Sequence, residues 1–193
     1  MLSAFALLFG MNPYLLRSMI PAPLPTNETT RLHALAACDI METPREEWFE
    51  GIIQQAVEMS GAPVAFLALV DEKREWFKAS HGLALKEAPR EYSFCAFAIL
   101  HPDQLMEVQD ARYDERFHDN PLTTGATRIV YYAGMPIVDA DGYALGALAL
   151  ADKRPRQLSD HKLLILETLA RLVSTRLELR KIQRQLREFR EGK

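Results

Sequence analysis

The chain has 193 residues, of which 48% are apolar, enough for one well-filled core and hardly for two. Its formal net charge of −3 gives no overall electrostatic reason to expect nucleic acid as a partner. The charge is uneven, because residues 176–193 carry seven Lys or Arg against three Asp or Glu. We therefore expect one acidic domain with a basic C-terminal end, and no binding of nucleic acid.

The N-terminal segment begins with an apolar run, residues 2–11, that is too short to cross a bilayer. No Lys or Arg precedes this run and no clear cleavage site follows it, so we expect neither a secretory signal nor membrane attachment. Residues 1–27 are expected to form a leader outside the domain. This leader is either a disordered segment or the result of a translation start placed too far upstream. The two cysteines, Cys38 and Cys95, lie far apart without a CxxC spacing, which favours a reducing, cytoplasmic compartment.

Helical spacing of apolar residues predicts two helices at the front of the domain. Thr29 or Thr30 can cap the first one, which extends toward residue 40. Thr43 and Glu46 have the spacing of a capping box, which predicts that a second helix opens there and ends at Ser60.

Apolar runs and alternating patterns bounded by turn residues predict strands at residues 64–70, 74–80, 104–108, 131–138 and 143–151. The last two form a hairpin around residues 139–142, and its second strand carries the small residues Gly146, Ala147 and Ala149. Such small residues leave room for something to lie against the sheet. Pro136 cannot donate a ladder hydrogen bond, so an edge or a bulge is expected there. Ser93 can cap a short apolar helix that ends at Leu100.

The longest predicted helix starts at Ser159 and continues to Arg190, because no Gly or Pro interrupts it before Gly192. One apolar stripe suits packing on the domain: Leu163, Leu166, Leu169, Ala170, Val173 and Leu177. A heptad seam persists beyond that stripe: Ile165, Thr168, Leu172, Thr175, Leu179, Ile182, Leu186 and Phe189. An isolated helix is marginal in water, so the seam predicts a partner helix. We interpret its basic residues as the solvated face of a coiled coil, with phosphate contact as the alternative.

Several short motifs occur in order along the chain: Ile40-Met-Glu-Thr-Pro44, Leu69-Val-Asp71, Glu75-Trp-Phe-Lys78, Asp110-Ala-Arg-Tyr-Asp114, Asp119-Asn-Pro-Leu122 and Tyr132-Ala-Gly-Met-Pro136. With them, residues 31–176 resemble a GAF domain of the bacterial signalling subgroup. The resemblance implies an α+β, PAS-related fold, in which a six-stranded antiparallel sheet has helices on one face and a small-molecule pocket on the other. We expect a GAF domain at residues 28–176 and a coiled-coil-like extension at 177–193.

The pocket implied by the resemblance has a predicted lining: Trp76, Phe77, Phe94, Cys95, Phe97, Asp114, Phe117, Asn120, Tyr131 and Met135. The simpler alternative is that these aromatic residues fill the core. The predicted function is small-molecule sensing in bacterial signal transduction, with output through the C-terminal helix. The expected partners are a small-molecule ligand, a second copy joined through that helix and a downstream signalling protein.

Other members of the family offer alternatives. A role like that of free methionine-(R)-sulfoxide reductase needs several cysteines close together. A helix N-terminus at Ser93 would favour the thiolate form of Cys95, whereas burial would leave this thiol inert. A covalent bilin is not expected because no cysteine follows Cys95. The cyclic-nucleotide signature is absent, and the five histidines are dispersed, so no metal or cofactor is expected. An enzyme is therefore not expected, and a ligand-free dimerisation module remains open.

Overall fold

The computed structural model describes residues 19–192. The helices of this part of the chain are α1 Glu28–Ala37, α2 Glu47–Ser60, α3 Phe94–Ala98, α4 Pro121–Thr124 and α5 Asp160–Arg190. The strands are β1 Val64–Val70, β2 Arg74–His81, β3 Glu87–Pro89, β4 Met106–Val108, β5 Tyr131–Val138 and β6 Ala144–Asp152. The predicted α+β class is confirmed.

The six strands form one sheet in the order β3-β2-β1-β6-β5-β4, and every neighbouring pair is antiparallel. The continuous apolar run of β1 is central because it is buried on both faces. The predicted hairpin is confirmed, with Tyr131 paired to Asp152 and Gly142 at a φ of 88° in its turn. β4 pairs β5 only over residues 132–134, so Pro136 lies beyond it on an open stretch of edge, as expected.

Alternation over residues 147–151 of β6 builds two different cores. Leu148 and Leu150 face α1, α2 and α5, whereas Ala147, Ala149 and Ala151 face α3 and the loops around it. We call the first set of buried residues the helix-side core and the second the loop-side core. The small residues of β6 therefore point to the face that the sequence predicts for a ligand.

The start of α2 differs from the prediction. Thr43 does not cap this helix, because its hydroxyl donates to the carbonyl of Ile40, and the helix begins at Glu47. The cause is the buried Lys78 ammonium, which donates to Thr43 Oγ1 at 2.8 Å and to the Pro44 carbonyl at 2.6 Å. A buried cation needs such partners, and it holds this segment out of helical conformation.

The start of α1 also differs. The helix begins at Glu28, so Thr29 and Thr30 lie inside its first turn and do not cap it. The leader predicted over residues 1–27 lies partly within the described residues, where 19–25 have no regular secondary structure and a turn follows at residues 26–27. Met19 and Ala22 pack against the loop-side core there. Residues 1–18 lie outside the described part. No helix of the described part is long and apolar enough to cross a membrane.

The packing face of α5 is confirmed. Its buried residues are Leu166, Leu169, Ala170, Val173 and Leu177, and all lie in the helix-side core. Beyond Leu177, polar contacts continue to hold the helix, because Arg180 Nε donates to the Asp39 carbonyl at 3.1 Å and Arg184 Nη1 to the Ala36 carbonyl at 3.0 Å. The predicted boundary at residue 177 therefore marks the end of apolar packing and not the end of contact with the domain.

Candidate functional site

A layer of aromatic rings fills the loop-side core. Phe94 stacks on Phe117 with centroids 3.9 Å apart, and Phe97 meets Phe117 edge-on at 5.0 Å. Tyr132 lies 5.1 Å from Phe94. These four rings are buried and share this core with the alanines of β6. The room left by small residues on the sheet is therefore taken by the protein's own side chains.

Two local features put these rings in place. Ser93 caps α3 as predicted, its hydroxyl accepting from the Ala96 amide at 2.9 Å, and so directs Phe94 and Phe97 to the sheet. Gly134 lies two residues after Tyr132 on the same face of β5. A Cβ at Gly134 would collide with the Tyr132 hydroxyl and ring, so only glycine lets this side chain lie along the strand.

A polar network runs beneath the aromatic layer. Ser93 Oγ donates to Glu75 Oε2 at 2.6 Å, and the Tyr132 hydroxyl donates to Cys95 Sγ at 3.4 Å. Burial raises the pKa of Glu75 to about 7, and hydrogen bonds from Ser93 and Cys95 only partly oppose this shift. The network joins β2, α3 and β5, and Glu75 carries its ionisable carboxyl.

The cysteines are placed unfavourably for thiol chemistry. Burial, followed by the negative charge of Glu75, holds the pKa of Cys95 well above its usual range, so the helix N-terminus does not make it a thiolate. Burial raises the pKa of Cys38 to about 11. Cys38 belongs to the helix-side core and Cys95 to the loop-side core, so the sheet separates the two thiols.

The structure brings together only part of the predicted ligand-contacting set. Six of these residues are in or beside the loop-side core: Phe77, Phe94, Cys95, Phe97, Phe117 and Asn120. Asn120 has a structural position, since its Nδ2 donates to the Tyr92 carbonyl at 3.0 Å and its Oδ1 accepts from the Leu122 amide at 2.8 Å. Asp114 lies in an ion pair with Arg116, whose guanidinium covers the Phe117 ring at 4.9 Å.

Three predicted residues lie on the opposite face. Trp76, Tyr131 and Met135 belong to the helix-side core, so the expectation that they share one cavity with Phe94 is wrong. The reason is alternation along the strands, which turns Tyr132 and not Tyr131 toward the rings. The Tyr131 hydroxyl instead donates to Glu107 at 2.9 Å. Tyr132 is the residue that sequence reasoning missed. Ligand binding by the remaining residues stays a prediction.

Two surface clefts adjoin the loop-side core. One, of about 230 Å³, lies at an end of the sheet between residues 82–85, 126–129 and 151–153. The other, of about 460 Å³, is lined by Phe97, Met106 and Arg116 and is bordered by Pro23 of the N-terminal segment. This cleft reaches the aromatic layer, because Phe97 belongs to both. No group of three or more His, Cys, Asp or Glu within residues 19–192 is arranged to hold a metal ion.

The sequence profile of the GAF domain family matches residues 44–177. The chain belongs to the GAF family. A curated relative is a cyclic di-GMP phosphodiesterase of Pseudomonas aeruginosa, which is 39% identical over 160 residues that make up 82% of this chain. The matched stretch spans only 27% of that relative. The similarity to the phosphodiesterase therefore covers a GAF-containing part of a much longer protein.

Solved structures agree with the GAF fold. The GAF domain of PixJ from Thermosynechococcus elongatus, in its blue-light absorbing form, covers 89% of this chain and 99% of its own at a TM-score of 0.61 and 15% identity. The GAF domain of an Acinetobacter phosphoenolpyruvate-protein phosphotransferase covers 77% of this chain and 92% of its own, with a TM-score of 0.56 and 18% identity. A type II free methionine-R-sulfoxide reductase of Thermoplasma acidophilum covers 68% and 90%, with a TM-score of 0.56 and 12% identity. At these identities the similarity speaks for the fold alone.

Proposed function

We propose that this chain is a regulatory GAF module of bacterial signal transduction, which senses a small molecule at the loop-side core and passes its state to α5. The observation that carries the proposal is that α5 has two apolar faces, one buried and one exposed. One face of this helix is buried on the sheet, while the seam residues Leu172, Leu179 and Leu186 remain exposed. A helix built in this way connects the state of the domain to whatever binds the seam.

A physical route leads from the aromatic layer to α5. Tyr132 contacts Phe94 on one face of β5, and the same strand packs against α5 on the other. The Val138 amide at the end of β5 donates to Ser174 Oγ of α5 at 3.0 Å. A ligand that enters beside Phe97 and displaces rings would shift β5, and α5 would follow. Such a ligand must bind the two arrangements with different affinity for this to act as a switch.

The proposed output is control of cyclic di-GMP turnover. It is supported by the 39% identity to a part of a cyclic di-GMP phosphodiesterase. We assign this chain the regulatory side of such a system, located in the cytoplasm, with the catalytic activity in another domain or a partner protein. A second copy of the chain is the proposed partner of the α5 seam, because a heptad pattern is typical of helices that pair with their own kind.

Two other functions are less well supported. A reductase that uses both thiols would have to bring Cys38 and Cys95 together through the sheet that separates them. A ligand-free dimerisation module is favoured by one specific observation, the filling of the loop-side core by Phe94, Phe117 and Tyr132. Ligand binding is thus the part of the proposal to test first.

The sensing test uses a matched pair of variants, Phe97→Leu and Met135→Leu. Both wild-type side chains border a surface cleft and are almost equally buried, but they lie on opposite faces of the sheet. Purified protein is denatured and searched by mass spectrometry for retained small molecules, and its melting temperature is measured with cyclic di-GMP and other nucleotides. We expect a compound whose binding Phe97→Leu weakens and Met135→Leu leaves unchanged. Equal effects of both substitutions, or no compound in either assay, would contradict sensing at this face.

The pairing test replaces Leu179 and Leu186 together by Asp and measures mass by light scattering. The control is Tyr113→Asp, because Tyr113 is an exposed apolar residue distant from α5 in the chain. We expect the wild type and the control to dimerise and the double variant to be monomeric. Persistence of the dimer in the double variant would show that the seam is not where two copies meet.

A further inference from the structure

The smaller of the two clefts beside the loop-side core has apolar walls. Its volume is about 230 Å³, and it lies between residues 82–85, 126–129 and 151–153 at one end of the sheet. We call it the sheet-end cleft. The walls are side chains that belong to the loop-side core or pack against it: Val64, Leu83, Leu85, Ile129 and Ala151. An apolar cavity of about 150 Å³ accommodates benzene, so the sheet-end cleft has room for a ring with one substituent.

Two lining residues of the sheet-end cleft have a left-handed backbone. Gly82 has a φ of 71°, and a Cβ there would lie 2.2 Å from the carbonyl oxygen of Pro63, so only glycine lets the chain pass this close to the residue before β1. Arg128 has a φ of 54°, which is unfavourable for a long side chain. The next residue holds it there, because the Ile129 amide donates to the Leu122 carbonyl at 2.7 Å. Non-glycine residues in this conformation cluster at functional sites.

The sheet-end cleft carries an excess of positive charge. The exposed side chains of Arg128 and Lys153 line it, and neither forms an ion pair within the described part of the chain. Asp152, the carboxylate of the lining, is already paired with Arg156, and it accepts from the Arg154 amide at 3.1 Å. Its charge is therefore compensated, whereas the charges of the two lining cations are not. Cations beside apolar walls suit a molecule that is apolar at one end and anionic at the other.

Backbone donors add to this positive charge. The amides of Ala126, Thr127 and Arg128 donate no hydrogen bond to any residue that the structure describes. Free amides beside a left-handed residue are typical of loops that bind anions. A carboxylate can accept hydrogen bonds on both of its oxygens, from such amides and from a guanidinium or ammonium group together. The donors around the sheet-end cleft therefore match a carboxylate.

We propose that the sheet-end cleft binds a small carboxylic acid in its anionic form, with an apolar body about the size of a benzene ring against the walls and the carboxylate beside Arg128 and Lys153. The bound molecule bridges residues 126–129, which precede β5, and residues 82–85, which follow β2. This cleft shares no lining residue with the opening beside Phe97. The inference therefore concerns a second site and does not rest on the proposed function.

The test titrates the full chain, isotope-labelled for NMR, with benzoate, which gives a dissociation constant and locates the site. Benzamide has the same shape without the charge, and acetate has the charge without the ring. We expect benzoate to shift the amide signals of residues 82–85 and 126–129. We also expect it to bind at least about tenfold more tightly than either of the two other compounds, because only benzoate uses both the walls and the cations.

The variants remove one cation each. Arg128→Asn keeps the fold, since Asn adopts the left-handed conformation more readily than Arg. Lys153→Gln removes the second cation, and the matched control is Arg154→Gln, which removes a charge from the next residue, also exposed but outside the lining. We expect Arg128→Asn and Lys153→Gln each to weaken benzoate binding by about threefold or more, and Arg154→Gln to leave it unchanged.

Several outcomes overturn the inference: no binding of benzoate at millimolar concentration, equal affinity for benzamide or acetate, or an equal loss in Arg154→Gln and Lys153→Gln. The variant Phe97→Leu separates this site from the sensing site. If Phe97→Leu weakens benzoate binding and Arg128→Asn does not, the probe enters at the aromatic layer and the present inference falls. If benzoate binding survives Phe97→Leu and the sensing test finds no compound, only the proposed function falls.

Discussion

The carboxyl of Glu75 should make the stability of this domain fall as the pH rises. Its pKa is raised from 4.5 to about 7, first by burial, while the hydrogen bond from Ser93 opposes the shift. In the unfolded chain the carboxyl ionises near its ordinary pKa, whereas in the fold it keeps its proton up to about pH 7. Between these values the folded state binds more protons than the unfolded state, so the free energy of unfolding decreases with pH.

The size of this effect follows from the shift. About 2.5 pKa units at ~1.4 kcal/mol each correspond to a loss on the order of 3 kcal/mol between about pH 4.5 and 7. Glu75→Gln removes the titration but keeps the shape of the side chain and an oxygen that accepts from Ser93. Other groups titrate equally in both proteins, so they cancel in the difference between variant and wild type.

The assay is urea unfolding of wild type and Glu75→Gln from pH 4.5 to 8. We expect the two stabilities to be close at the acid end and the variant to gain a growing advantage, of about 3 kcal/mol, toward pH 8. A difference that is constant with pH, or one that favours the wild type increasingly at high pH, would refute the assignment of a raised pKa to Glu75. Ser93→Ala serves as a companion variant, since it keeps the titrating carboxyl and should retain the pH slope.

Three further predictions concern single positions. Both carboxylate oxygens of Asp119 are buried without a hydrogen-bond partner among the residues described. Asp119→Asn should therefore raise the free energy of urea unfolding at pH 7 by about 1–3 kcal/mol. A lower stability of the variant would mean that the Asp119 charge makes a stabilising interaction. Gly134→Ala should lower the melting temperature, with a cost of about 1–3 kcal/mol, because its Cβ meets the Tyr132 side chain; an unchanged melting temperature would contradict that contact. Cys38 and Cys95 should react with a thiol reagent only after denaturation, and rapid modification of the native protein at pH 7 would show that burial does not protect them.

The parts of the fold that were predictable from the sequence are those with long, regular patterns. The apolar run of β1, the β5–β6 hairpin and the buried stripe of α5 each follow from residue spacing alone, and the resemblance to a GAF domain implied the six-stranded antiparallel sheet. Residue spacing does not predict β3, because a strand of three residues at the edge of a sheet is too short to show a period.

The errors have a different origin, since they depend on contacts between distant segments. The start of α2 could not be predicted because it is decided by Lys78, which is more than thirty residues away in sequence. For the candidate site, residue spacing predicted the Ser93 cap and the helix that carries Phe94 and Phe97, whereas ligand binding by these rings stays a prediction. Tyr131 was predicted to line the pocket, whereas Tyr132 is the one that faces the rings, because a shift of one residue in a strand exchanges the faces of the sheet.

The alanine surface of β6 also makes this domain a suitable scaffold for protein engineering. The small side chains of Ala147, Ala149 and Ala151 belong to the same core as the aromatic layer. Replacing Phe117 by a residue with a small side chain would open a cavity next to these alanines. The Glu75 carboxyl would then supply a polar group for an introduced ligand. An engineered receptor of this kind would keep the hydrogen bond between Val138 of β5 and Ser174 of α5. Only the ligand-binding residues would then have to be designed.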